Sequence, residues 1–172
     1  MLLAIDIGNT NVVWGIYEGR TLKGHWRLAT EASKTADEYG ILFVNILQQV
    51  GVDTHKITDA ILSSVVPSLT AVFDEMVETY FKHTALIVSS DLDMGIQIAY
   101  PNPLEIGSDR LVNAAAAYAR YKTCLIIVDF GTATTFCAIS PRGEYLGGAI
   151  APGLGIASEA LFTRTAKLPK VD

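Results

Sequence analysis

One internal repeat limits what this chain can fold into more than any other feature. The stretch LLAIDIGNTNVVWGIYEGR starts at Leu2, and a similar one, LIIVDFGTATTFCAISPRG, starts at Leu125. Asp6 aligns with Asp129, a spacing of 123 residues (129 − 6), and the same spacing carries Gly8 to Gly131, Asn9 to Thr132 and Asn11 to Thr134. A third segment follows the rule, residues 21–28 answering residues 144–151. Solenoids repeat every 20–50 residues or so, and this period is far longer. The repeat therefore predicts two domains on one plan, 1–122 and 123–172, the second represented by its N-terminal part.

Within the first copy, residues 2–7, 12–17 and 22–28 are apolar runs of strand type. They are broken by Gly8-Asn9-Thr10-Asn11 and Glu18-Gly19-Arg20, which predicts antiparallel hairpins. Tyr39, Leu42, Phe43, Ile46, Leu47 and Val50 then recur at helical spacing, with Asp37 and Glu38 in the first turn and Gly51 as the stop. A strand over 57–66, a helix over 68–81, a strand over 84–88, a loop over 91–108 and an Ala-rich helix over 109–121 complete the expected order. Helices and strands that alternate in this way make an α/β layered fold.

Composition narrows the function. The 172 residues carry 13 Lys+Arg against 18 Asp+Glu, a net charge of −5, with no basic stripe of the kind nucleic-acid or anionic-membrane binders present. No apolar run nears the roughly 18 residues of a spanning helix. Asp6 follows MLLAI with no basic leader, so a secretion signal is not expected and the cytoplasm is. Cys124 and Cys137 lack metal-ligand spacing, and each lies in an apolar run that suits a small buried thiol.

In each copy an aspartate ends an apolar strand and leads into a tight turn of Gly with Thr or Asn. Glycine permits positive φ and close approach of a ligand to the backbone. Turn amides and hydroxyls can face a phosphate, and a strand-end aspartate suits a hydrated magnesium ion. Two such hairpins could grip a polyphosphate. The plainer alternative is a good hairpin turn whose aspartate satisfies loop amides. No GxxxxGK[ST] occurs, and Gly153-Leu154-Gly155 lacks the third glycine of a dinucleotide fingerprint.

Five blocks, DIGNTN at 6–11, SSVVPSLT at 63–70, PNPLEIGSDR at 101–110, DFGTATTF at 129–136 and GGAIAPG at 147–153, together resemble the type III pantothenate kinase family. The resemblance implies the duplicated actin-like ATPase fold (ribonuclease H-like, βββαβα in each domain). It also implies transfer of the ATP γ-phosphate to pantothenate, with Mg2+ and a monovalent cation, K+ or NH4+, and a homodimer formed through first-domain helices. By the same resemblance Asp6, Ile7, Gly8, Asn9, Thr10, Asn11, Val12 and Val13 bind ATP phosphates, joined by Thr132. Tyr100, Gly107, Ser108, Asp109 and Arg110 take pantothenate, Asp109 accepts the proton, and Asp129 holds the monovalent cation.

These roles are chemically reasonable for the residues concerned. A carboxylate at a helix N-terminus, as Asp109 is predicted to be, faces the positive end of the dipole. Arg110 can fork onto a carboxylate. The structural alternative is that Ser108 caps the helix, Asp109 complements its dipole and Arg110 is solvated. Tyr100 has its own alternative as an aromatic closing a loop.

The family pattern runs on beyond Leu168-Pro169-Lys170-Val171-Asp172, so the second domain is expected to show three strands, one helix and open edges. The chain then reads as part of a kinase. The alternative is a shortened, non-catalytic paralogue that binds ligand or regulates.

Overall fold

In a computed structural model, residues 1–165 are described, so the stretch Leu168–Asp172 lies outside the described residues. The chain divides into two compact units, the first comprising Met1–Ser89 with Gly107–Asp109 and the second Ser90–Ile106 with the residues from Arg110 onward. This grouping follows contacts, whereas the 122/123 division follows the repeat.

The first unit is built on a five-stranded sheet of order β3-β2-β1-β4-β5. Its strands are β1 (Leu2–Ile7), β2 (Asn11–Glu18), β3 (Thr21–Ala29), β4 (Asp59–Ser64) and β5 (Leu86–Ile87). β1, β2 and β3 form antiparallel hairpins, while β1–β4 and β4–β5 are parallel. Helix α1 (Ala36–Gln49) opens with a reciprocal capping box between Thr35 and Glu38. Pro67, at the first turn of α2 (Pro67–Phe81), cannot extend the preceding strand and is preset for a helix start. Apolar side chains from the sheet (Leu3, Ile5, Ile7, Val12, Trp14, Ile16, Leu62) meet Tyr39, Phe43 and Leu47 of α1 and Leu69, Phe73, Met76 and Val77 of α2 in one core. Trp14 stacks on Phe43 at 4.0 Å between ring centroids and tilts against Trp26 at 4.4 Å.

The second unit holds a four-stranded sheet of order β6-β9-β8-β7, from β6 (Gln97–Ile98), β7 (Leu125–Phe130), β8 (Ala133–Ile139) and β9 (Glu144–Pro152). The described residues from 123 onward hold the three strands and one helix expected of them, and the fourth strand, β6, comes from the segment 91–108, which corrects the expectation of a loop there. β6 pairs parallel to β9 through Gln97↔Glu144 and Ile98↔Tyr145, and a short 3-10 turn follows at Pro103–Glu105. Two residues paired by backbone alone leave no periodic mark in a sequence. On one face Leu111 and Ala114 of α3 (Ser108–Tyr121) pack with Ile106, Cys137, Ile139 and Tyr145. Ile126, Val128, Phe130 and Ile150 are exposed. Helix α4 (Leu154–Arg164) ends the described chain. Cys137 is buried as expected, but Cys124, just before β7, is exposed.

The repeat survives with one correction: the second turn is a residue shorter, so β8 starts 122 residues after β2 (133 − 11) and Asn11 is matched by Ala133 rather than Thr134. β7 and β9 start and stop 123 residues after β1 and β3 (125 − 2 and 144 − 21). Each copy carries a bulge at the matching place. Lys23 is the unpaired residue opposite Ile16/Tyr17, and Leu146 is the unpaired residue opposite Ala138/Ile139. Among the described residues, no helix is long and apolar enough to cross a membrane.

Candidate functional site

In the first unit the candidate residues gather at the C-terminal ends of β1 and β4, where open α/β sheets hold ligands. Asp6 is exposed near the end of β1, paired with Val13 on one side and Ser63 on the other. The turn after β1 closes with the Gly8 amide donating to the Asn11 carbonyl at 3.0 Å. Gly8 is not among the residues with positive φ, which corrects the expected reason for glycine here. The reason is space, because a Cβ would lie 3.1 Å from the Asn11 carbonyl oxygen.

Thr30, just past β3, braces the turn from behind. Its hydroxyl donates to the Gly8 carbonyl at 2.7 Å, and its amide to the Thr10 carbonyl at 3.0 Å. Sequence reasoning missed Thr30, since nothing local distinguishes it. Asn9 and Thr10 are exposed at the tip, whereas the side chains of Ile7 and Val12 are fully buried. Ile7 and Val12 can therefore offer a ligand only backbone groups.

Ser108 and Asp109 reach the same sheet end through β4. The Ser108 hydroxyl donates to the Ser64 carbonyl at 2.9 Å, accepts from the Ser64 amide at 3.0 Å and meets the Ser63 hydroxyl at 3.1 Å. Its side chain is thus committed to β4, and it presents its neighbour Asp109 at the first turn of α3. The Asp109 carboxylate folds back so tightly that a Cβ on Gly107 would lie 2.4 Å from Oδ1.

In the second unit the matching turn closes with Gly131 donating to the Ala133 carbonyl at 3.0 Å. Thr132 is exposed, and its carbonyl accepts from the Gly153 amide at 3.1 Å. Asp129, half-buried, accepts from the Asn113 side-chain amide at 2.9 Å. A pocket of about 230 Å³ is lined by Tyr100, Glu105, Ile106, Arg110, Tyr145, Gly148 and Ile150. Tyr100 and Arg110 therefore come together, and Glu105, Tyr145 and Ile150 join them without a sequence cue. Gly147 holds φ +112, a conformation open to glycine, and a Cβ there would crowd the Tyr100 ring at 3.0 Å.

Among the described residues, no group of three or more His, Cys, Asp or Glu is placed to hold a metal ion. Each hairpin offers one carboxylate, Asp6 or Asp129, beside hydroxyl and carbonyl oxygens. That donor set fits a hard cation that takes its remaining ligands from water and phosphate.

Comparison with known proteins decides the family. The family model described as type III pantothenate kinase matches residues 2–172. The chain belongs to this family. It is 53% identical over 172 residues to the type III pantothenate kinase of Moorella thermoacetica, covering 100% of this chain and 68% of that protein. The type III pantothenate kinase of Geotalea daltonii is also 53% identical over 172 residues, with 100% of this chain and 67% of that protein covered. The chain thus spans about two thirds of the length of these family members. Among solved structures, a conserved protein assigned to the Baf family of transcriptional activators from Campylobacter jejuni superposes with TM-score 0.56 at 18% identity, over 95% of this chain and 60% of that one. At that identity the likeness concerns the fold, which is the actin-like ATPase and sugar-kinase fold.

Proposed function

We propose that the chain carries the phosphate and pantothenate residues of an ATP-dependent pantothenate kinase, which makes 4'-phosphopantothenate and ADP in the first step of coenzyme A biosynthesis. The observation that carries this reading is the convergence of Asp6, its braced turn and Asp109 on one sheet end of the first unit. In this reading the turn from Asp6 to Val13 receives ATP phosphates, and Thr132 is a further phosphate-binding residue. Tyr100 and Arg110 line a pocket that suits an acidic acceptor, with the guanidinium able to fork onto its carboxylate. Gly107 and Ser108 position Asp109.

The acceptor hydroxyl oxygen attacks the γ-phosphorus, the bond to the bridging oxygen breaks, and ADP departs with that electron pair. Asp109 accepts the hydroxyl proton. A loose transition state asks little of this base, because positioning and charge neutralisation carry most of the catalysis. Magnesium, when bound with ATP at the hairpin oxygens, neutralises phosphate charge. Asp129, held by Asn113, is assigned the monovalent cation, K+ or NH4+. The domain division at 122/123, a homodimer and a cytoplasmic location belong to the same proposal.

The test is ADP release from ATP, with and without pantothenate, in potassium and in sodium buffer. Pantothenate-dependent release in potassium that is lost in Asp109→Asn, with nucleotide binding retained, is the expected result. Near-normal turnover by Asp109→Asn removes that residue from the chemistry. Binding of pantothenate with no release in any buffer favours a ligand-binding, non-catalytic protein.

A further inference from the structure

The second unit contains a seat for Arg110 that none of its assigned roles requires. Arg110 Nε donates to Cys137 Sγ at 3.2 Å, and a terminal guanidinium nitrogen donates to the Phe136 carbonyl at 3.3 Å. The Tyr145 hydroxyl donates to the same sulfur at 3.5 Å, and the Arg110 guanidinium carbon lies 5.9 Å from the Tyr145 ring centroid. Cys137 is 1% exposed. A Cβ at Gly148 would fall 1.8 Å from the Phe136 carbonyl oxygen and 2.6 Å from Arg110 Nη2, so the seat exists only with glycine at 148. Arg110, Tyr145 and Gly148 all line the pocket of about 230 Å³.

We propose that Cys137 is a positioning residue, whose sulfur fixes the Arg110 guanidinium in this pocket and thereby sets its preference for a carboxylate over a neutral carboxamide. The assignment of a carboxylate rests on the functional reading above. An arginine that must be ordered by its ligand spends binding energy on lost rotamers, and one already held has lost that freedom beforehand. The acceptor type matters as well. A carboxylate at 137 would hold the guanidinium harder but cancel the charge an acidic ligand needs. A thiol is a weak, uncharged acceptor, so it directs the side chain without itself neutralising the guanidinium.

The experiment compares wild type, Cys137→Val, which removes the acceptor, and Cys137→Ser, which restores one; Cys137→Ala replaces the valine variant should that not fold. Two readouts are taken: solvent exchange of the Arg110 Nε–H by 15N NMR, and calorimetric binding of pantothenate and of its primary carboxamide. Wild type and Cys137→Ser are expected to show a protected Arg110 signal and to prefer the acid. Cys137→Val should lose the protection and bind the acid about tenfold more weakly, as expected for losing one hydrogen bond to a charged group, with carboxamide binding unchanged. A protected Arg110 signal and an intact acid preference in Cys137→Val overturn the proposal. Equal weakening toward both ligands also overturns it, since that marks a packing role. Wild type with a protected Arg110 signal that binds neither ligand supports the seat and overturns the pantothenate reading.

Discussion

Replacing Ser108 by alanine removes the tie that holds the start of α3 against β4. A hydroxyl has one proton and two lone pairs. The Ser108 proton goes to the Ser64 carbonyl, so both the Ser64 amide and the Ser63 hydroxyl must donate to its oxygen. All three capacities are used in a place where Ser108 is 8% and Ser63 is 6% exposed. A net contribution of about 0.5–1.5 kcal/mol per bond puts the loss in Ser108→Ala at about 2–4 kcal/mol. Ser63→Ala loses one bond and should cost about 1 kcal/mol. Because the two hydroxyls share a bond, the double variant should cost about 1 kcal/mol less than the sum of the singles. Urea unfolding followed by tryptophan fluorescence reads this well, since both tryptophans, Trp14 and Trp26, lie in the first unit. The midpoint should fall with little change in slope. A loss below about 0.5 kcal/mol, or strict additivity with Ser63→Ala, would refute the account, because such a bond network cannot be that cheap to break.

Three further expectations follow from the same geometry. Gly107→Ala should leave stability within about 1 kcal/mol, since φ there is not positive. It should lower kcat in the ADP-release assay without changing the KM for ATP, because the new methyl displaces the Asp109 carboxylate. Trp14→Ala should destabilise by about 3–5 kcal/mol in the same urea titration, through the cavity left beside Phe43 and Trp26. Trp14→Phe should cost less than its lost volume suggests, because the buried indole N–H has no hydrogen-bond partner to lose. Glu144, held below the ordinary glutamate value of 4.5 by the Ser140 hydroxyl and then by Arg142, supports the fold in its ionised form. Its depressed folded value means that this support is present above 4.5 and disappears as pH falls through the lower value. The gap in thermal midpoint between wild type and Glu144→Gln should therefore be widest at neutral pH and close in acid. A gap that persists at low pH refutes the assignment.

Some of the site was legible in the residues because it is local. A strand-end aspartate followed by Gly-Asn-Thr-Asn marks a tight turn whatever surrounds it, and Asp6 and Asp129 both stand where such turns begin. Pro101–Arg110 was harder to place. Its motif points to Ser108, Asp109 and Arg110 together, with a helix cap as the alternative for Ser108, whereas the Ser108 hydroxyl bonds β4, 44 residues back in the chain. The brace from Thr30 and the acceptor at Cys137 left no trace at all. A polar side chain that bonds a distant backbone group has no period, no neighbour rule and no compositional bias.

The duplicated hairpin plan is written in the sequence, since apolar strand runs and turn residues are short-range requirements, and those near Asp6 return 123 residues later at Asp129 (129 − 6). The sequence also determined the family, through five short blocks in order. Which side chains are buried in the fold and which stay open to a ligand depends on the tertiary structure. Ile7 and Ser108 sit inside motif blocks and Val12 directly follows one, yet their side chains belong to the core or to β4. Cys137 and Gly148 seat the guanidinium that the motif supplies. The physical reason is burial: every polar atom withdrawn from water needs a partner, and which partner it finds is set by packing between elements far apart in the chain.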